Sequence, residues 1–433
     1  MKNFKLNKLN NNEYRIVNYL GSDEEIEVPE KMNIKSGIFS KKNKEVIITS
    51  IDKKSFFACD PLKSIILPAS ITDIGEGAFQ SCINLVNVVL PASINKLDEN
   101  LFRDCKKLSN IILPISIKII ENGVFRGCDS LKTITFPNSV EKIGKNAFAA
   151  CTQLNSISLP ECINNIGESA FSLCINLNSI NLPSNLNFIE KNTFYDCNSL
   201  KSIKLPNNLK KIGTGAFLGC SSLEYIELPD SIEIIENFAF EECINLKTIN
   251  IPESVKVLDE GIFSKCKSLD NVELHDNIEK IDHGVFHGNT SLKDIYLPNS
   301  IKYIGENVFQ SCKSLTNIIL PDNIIEINKG LFMHCYNLNS ITFPKNLQSI
   351  GPYAFANCEN LKSITFPKNL ESIGQYAFGG CKNLEKIIFE GDVAPLTFGN
   401  IFHGVNARNA TIYYPKNAFG WSDTYAGIKT EQY

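Results

Sequence analysis

No apolar stretch in the 433 residues approaches the about 20 that a helix needs to span a bilayer, so membrane insertion is not expected. Long basic runs are missing too. Acidic and basic residues are mixed along the chain and the formal charge is −4, which excludes nucleic acid and an anionic membrane as expected partners. Met1 to Leu20 contains lysines but no continuous apolar segment and no small-residue cleavage site, so it does not read as a secretory signal. No two cysteines stand at C-x2-C spacing, and no G-x-S-x-G, Walker or G-x-G-x-x-G motif occurs. Nothing implies a cofactor, and no catalytic residue can be nominated.

What is present is a period. Fourteen of the fifteen cysteines fall between Cys59 and Cys381 at steps of 23 residues, with one gap of 46 across Asn289; Cys162 is the extra one. Phenylalanine holds the same step from Phe56 to Phe378, leucine from Leu62 to Leu384, and proline from Pro68 to Pro367 except at His275. Independent columns sharing one period over most of a chain identify a repeat protein, which grows by stacking units rather than by adding domains.

Counted from Leu62, one unit reads L-x-x-I-x-L-P-x-[SN]-I-x-x-I-[GDEN]-x-x-A-F-x-x-C-x-x, and residues 62–383 hold fourteen copies. The alternating Ile65-x-Leu67 predicts a short half-buried strand, and the following proline, which has no N–H, ends it. Ala78, Phe79, Cys82 and Leu85 lie at helical spacing and predict one or two turns of 3-10 or α-helix. Gly75 and its equivalents share their column with Asp and Asn, types that tolerate a left-handed backbone, though Glu121, Glu190 and Glu236 stand there too. The expected architecture is an α/β leucine-rich-repeat solenoid, with a parallel β-sheet on the concave face and short 3-10 or helical segments on the convex face. Residues 1–61 read as an N-terminal cap with an irregular first repeat, and 384–433 as a C-terminal cap. Val28-Pro29 resembles a first Leu-Pro, but Pro68 follows 39 residues later, so about sixteen residues are inserted, placed within SGIFSKKNKE. Thr411 to Tyr414 reads as a final strand.

The motif resembles the BspA-type, or treponemal-type, leucine-rich repeats over Leu62 to Phe389, with P-x-S and A-F-x-x-C as its distinguishing elements. The resemblance implies a surface-exposed or secreted protein of the kind found in anaerobic bacteria and parasitic protists, several of which act in adhesion. The absence of a visible signal keeps an intracellular scaffold as the alternative.

Three features invite chemistry. A uniform cysteine column is better explained as buried free thiols than as disulfides, whose dihedral requirement is strict. The serine and asparagine column after each proline (Ser70, Ser93, Ser139, Asn185, Asn208, Ser300, Asn346) is expected to satisfy turn backbone, and Cys162 to forfeit that role in its unit. The unit Leu269 to Ser291 lacks both Pro and Cys and holds His275, His283 and His287, but at positions that point around different sides of the coil, so no metal site is expected. An enzyme would have to use this unit.

Binding is therefore expected on the outward strand positions 2, 3 and 5. Position 5 opens aliphatic (Ile66, Val89, Ile112) and turns polar in the middle units. There Lys204, Tyr225, Glu227, Asn250, Glu273 and Tyr296 form the candidate face for a protein or glycan ligand, since exposed tyrosine among charges is typical of recognition surfaces.

Overall fold

The computed structural model describes residues 3–10, 12–35 and 43–433. The chain forms two compact units, Met1–Leu209 and Lys210–Tyr433. Both are β-solenoids whose rungs stack at a 23-residue register.

Most rungs contribute to a first ladder at the expected Ile-x-Leu segment. In the N-terminal unit Glu25–Glu27, Ser64–Ile66, Asn87–Val89 and Asn110–Ile111 lie side by side in parallel. Bridges through Thr135 carry the ladder on to Ser156–Ser158, which pairs with Ser179–Asn181. In the C-terminal unit Thr248–Asn250 pairs with Asn271–Glu273, Asn317–Ile319 with Ser340–Thr342, and Ser363–Phe366 with Lys386–Phe389, all in parallel. Alternation works as the sequence predicts. Ile249 is buried while Thr248 and Asn250 on either side are exposed.

Each rung also adds to a second parallel ladder, which sequence periodicity does not reveal. Lys96–Leu97, Ile119–Ile120, Lys142–Ile143 and Asn165–Ile166 stack in the N-terminal unit. Glu326–Ile327, Ser349–Ile350, Ser372–Ile373 and Leu396–Thr397 stack in the C-terminal one. Two residues per strand are too few for an alternating pattern to register.

The helical segments expected at Ala78–Leu85 and its equivalents are absent among the described residues; successive turns take their place. The backbone bonding explains why. Ala78 N donates to Gly75 O (3.2 Å), Gln80 N to Gly77 O (3.0 Å) and Cys82 N to Phe79 O (3.2 Å), as a 3-10 turn would. The intervening donors leave the rung: Gly77 N bonds Glu99 O (2.9 Å), Phe79 N bonds Leu101 O (3.1 Å) and Ser81 N bonds Arg103 O (2.7 Å). A helix keeps every N–H within its own segment. Here alternate amides point to the neighbour, which requires left-handed residues at Gly77 (φ 57°) and Ser81 (φ 61°). Holding a non-glycine residue left-handed costs about 1–2 kcal/mol, least for Asn and Asp. A buried N–H without a partner costs about 1–3 kcal/mol, so three satisfied cross-rung donors outweigh two strained residues. The left-handed positions are therefore two and six residues beyond Gly75, which itself is not left-handed. What glycine supplies there is closeness: a Cβ on Gly75 would sit 2.7 Å from Lys53 N.

Inside the turns the phenylalanines stack. Phe79 and Phe102 have ring centroids 5.6 Å apart and planes at 8° in the N-terminal unit. Phe217 and Phe240 are 5.4 Å apart at 2° in the C-terminal one. Such pairs add about 0.5–1.5 kcal/mol to the burial of each ring.

The cysteines do more than fill space. Cys82 Sγ donates to Phe56 O at 3.0 Å, Cys105 Sγ to Phe79 O at 3.1 Å, and Cys266 Sγ to Phe240 O at 3.1 Å. Each carbonyl also accepts a turn amide, such as Cys59 N on Phe56 O (3.1 Å), so the thiol occupies its second lone pair. Burial pushes the Cys174, Cys312 and Cys381 thiols up to about 12 and removes them from thiolate chemistry.

The serine column likewise reaches across a rung rather than into its own turn: Ser70 Oγ donates to Ile48 O (2.7 Å) and Ser139 Oγ to Ile117 O (2.6 Å). Cys162 does not forfeit this role. Its Sγ lies 3.0 Å from Val140 O and 2.7 Å from Asn138 O.

At the N-terminal end Glu25–Glu27 pairs with Ser64–Ile66, 39 residues on. Lys31–Lys35 pairs antiparallel with Asn43–Ile51, so the excess length leaves the rung as a hairpin. Most of the SGIFSKKNKE segment, residues 36–42, lies outside the described residues. At the C-terminal end Thr411–Tyr414 pairs with Lys386–Phe389, and two further strands follow it, Thr424–Tyr425 and Ile428–Gln432.

One rung breaks the thiol column. Asn289 stands where Cys would, fully buried, and neither its Oδ1 nor its Nδ2 has a partner. Asn289→Cys is expected to raise the unfolding free energy by about 1–3 kcal/mol, the penalty of an unpaired buried amide. The urea midpoint measures it, and an unchanged or lower midpoint contradicts this account. Of the fifteen cysteines only Cys59 and Cys162 are partly exposed. Ellman's reagent should therefore titrate two thiols in the folded protein and all fifteen in guanidinium; additional fast thiols would show that the core is not closed.

Candidate ligand-binding face

The face is built by the pleat. Because Ile and Leu at positions 4 and 6 of each rung are anchored in the core, the residues at positions 3 and 5 must point outward. Their identity is then free of packing.

Lys204 belongs to the N-terminal unit. There it borders a cleft of about 350 Å³ together with Glu161, Asn181, Ser184, Pro206 and Asn207. The Glu161 carboxylate accepts from Ser184 N (2.8 Å) and Ser184 Oγ (2.7 Å), and these bonds hold its pKa below the usual carboxylate value. Further along the same face, Ile66, Val89 and Ile112 form the expected exposed aliphatic strip, which Ile115 extends.

The other five candidates lie in the C-terminal unit. Tyr225, Glu227, Asn250, Glu273 and Tyr296 are all exposed, with Tyr225 at 54% and Tyr296 at 67% of their full accessible surface. Asn250 and Glu273 are direct neighbours on paired strands. Asn250 is partly committed to the fold, since its Nδ2 donates to Leu228 O (3.2 Å) and its Oδ1 accepts from Leu228 N (3.5 Å). The two tyrosine hydroxyls and the carboxylates of Glu227 and Glu273 have no comparable task.

Around Tyr296 the first ladder is interrupted. Residues 292–298 form no strand, and a cleft of about 360 Å³ opens between this rung and the next. Tyr296 lines it with Asp294, Asn299, Asn317 and Ile319, and Ile319 is 69% exposed. Asp294, Asn299 and Asn317 escape sequence reasoning, which weighs single columns. The position-3 column holds mostly Ser, Thr and Asn, from which Tyr225, Asp294 and Lys386 depart.

The three histidines of Leu269–Ser291 are engaged separately. His275 Nε2 lies 2.9 Å from Pro252 O and its Nδ1 accepts from Asn277 N (3.2 Å). His283 Nδ1 accepts from Glu306 N (3.0 Å). His287 is half-buried, and burial with the nearby Lys265 lowers its pKa. Among the described residues no three His, Cys, Asp or Glu side chains converge as metal ligands, and no helix is long and apolar enough to cross a membrane.

Comparison with known proteins agrees with this architecture. A leucine-rich repeat protein from Bacteroides ovatus aligns with 100% of this chain and 99% of its own, at 25% identity and a TM-score of 0.64. The pneumococcal vaccine antigen PcpA aligns over 86% of this chain and 92% of its own, at 18% identity and a TM-score of 0.51, a likeness of fold alone. A leucine rich cell surface protein from Faecalibacterium prausnitzii aligns over 90% and 94%, at 22% identity and a TM-score of 0.48. No curated protein matches the chain. The BspA type leucine rich repeat region matches residues 30–151, 100–224, 187–313 and 280–404, overlapping segments that run through most of the sequence. The chain belongs to the BspA-type leucine-rich repeat family.

Proposed function

We propose that this protein is a non-enzymatic binding protein that engages a protein or glycan ligand through the outward face of the first ladder. The observation that carries the reading is the exposure of Tyr225 and Tyr296 at outward positions of the first-ladder face, where neither ring serves the core. Tyrosine is among the residues that most often anchor interfaces. Glu227, Asn250 and Glu273 lie between them in sequence and supply directional polar contacts. Lys204 offers a separate polar contact beside the Glu161 cleft of the N-terminal unit. Membership of the BspA-type family supports placement at the cell surface as an adhesin.

Alanine at Tyr225, Glu227, Glu273 and Tyr296 together is expected to lower affinity for a partner captured by pull-down or glycan array at least tenfold, since anchor truncations typically cost more than about 1 kcal/mol each. The fold should survive, because exposed substitutions cost within about 0.5 kcal/mol. Unchanged affinity would move the site elsewhere. Protease treatment of intact cells should cleave the protein if it is an adhesin, and protection from cleavage would refute surface placement.

A further inference from the structure

The acidic groups of the C-terminal unit fall into two populations. Between Leu223 and Ser300 most of those on the second ladder and the turns are neutralised by lysines, mostly from the adjacent rung, Asp259 and Glu260 excepted. Lys210 pairs with Glu233 at 2.8 Å, Lys211 with Glu236 at 2.5 Å, and Lys302 with Glu279 at 2.9 Å; Lys280 holds Asp282 of its own rung at 2.6 Å. On and beside the first-ladder strands between Leu223 and Ser300 the arrangement is different. Glu227, Glu253, Asp270, Glu273, Asp276 and Asp294 are all exposed, and none has an ion-pair partner among the described residues. Against them stand only Lys247, already paired with Glu224 at 3.4 Å, and Lys293.

The excess is not a habit of the repeat. At the same outward positions (2, 3, 5, 8 and 9) the seven rungs from Leu62 to Asn208 carry Lys63, Lys132, Lys201 and Lys204, and a single carboxylate, Glu161, which Ser184 binds. Nor does it serve stability. Strand neighbours lie roughly 4.8 Å apart, so like charges on successive rungs repel within one Debye length, which is about 8 Å at physiological salt. Between Leu223 and Ser300 lysines pair with most acids of the second ladder and turns but, at the outward first-ladder positions, only with Glu224, which keeps that face negative.

We propose that the outward first-ladder face between Leu223 and Ser300 docks a lysine- or arginine-rich segment of a partner protein, with Tyr225 and Tyr296 presenting ring faces to its cations. This rests on the binding role proposed above and narrows the partner to a cationic protein. Carboxylates supply attraction and rapid encounter, and an exposed tyrosine adds a cation–π contact that tolerates a flexible side chain.

The test uses the intact chain and a fluorescent lysine decamer, with a glutamate decamer as the opposite-charge probe. The lysine decamer should bind, more weakly as salt is raised, and the glutamate decamer should not. The triple variant Glu227→Gln, Glu273→Gln, Asp294→Asn should weaken lysine-decamer binding about tenfold, three exposed pairs being lost. Glu260→Gln, Glu326→Gln, Glu371→Gln removes the same charge from exposed sites on the second ladder and turns, and should leave it unchanged. Equal loss in both triples would reduce the effect to net charge and overturn the proposal, as would failure of the wild type to bind the decamer. The broader reading fails separately. If the alanine set at Tyr225, Glu227, Glu273 and Tyr296 still abolishes capture of a neutral glycan or an uncharged protein, the face is correct and the cationic partner is wrong. If that set also has no effect, both readings fall.

Discussion

The cross-rung hydrogen bond donated by alternate turn amides is the constraint from which the rest of this structure follows. When Phe79 N reaches Leu101 O, the two turns must lie at the same height and phase, so every rung must return after the same number of residues. That fixes the 23-residue period more firmly than side-chain packing, which tolerates exchange of similar volumes. It also forces two left-handed residues per turn, positions enriched in Gly, Asn, Asp and Ser but held also by residues such as Leu173, Phe238 and Tyr353. Extra length is admitted where it leaves the coil as a hairpin, as it does through Lys31–Lys35 and Asn43–Ile51.

The thiol column depends on the same geometry. With alternate carbonyls committed to the neighbouring rung, the Phe carbonyl keeps a free lone pair facing inward, and a small, weakly polar donor suits that place. Cysteine fits because burying it costs little and its S–H still reaches the oxygen. Asn289 shows the contrast. A larger amide in the same place, with two polar ends to satisfy, finds no partner for either.

How much of this was legible in the sequence depended on whether a residue faces inward. Leu62, Phe79 and Cys82 recur because the core permits little else, so the repeat, the first ladder and the outward orientation of Tyr225 and Tyr296 could be read directly. The turns could not. Ala78, Phe79, Cys82 and Leu85 show a helix-like spacing because chained turns also bring every third residue inward, and only the destination of the amide hydrogens distinguishes the two. The second ladder was hidden by the brevity of its strands. At the candidate face, position 5 was legible residue by residue, whereas the Asp294–Asn317–Ile319 cleft arises from failure of strand pairing at 292–298, a property of two rungs together. Asn250 looked like a free ligand group for the same reason; its amide is bonded to the backbone one rung away.

A solenoid of this kind separates stability from recognition by position within the rung. Inward columns and turn amides hold the stack, and many acids of the second ladder and turns are held by lysines. The outward positions of the first ladder contribute least to folding, so their side chains can change from one rung to the next without disturbing the period. In the C-terminal unit those positions carry exposed tyrosine and clustered unpaired carboxylates, whose mutual repulsion is a cost to an isolated protein. The clustering of like charge beside these rings serves no contact within the stack. The cost becomes intelligible when the face is completed by something outside the chain.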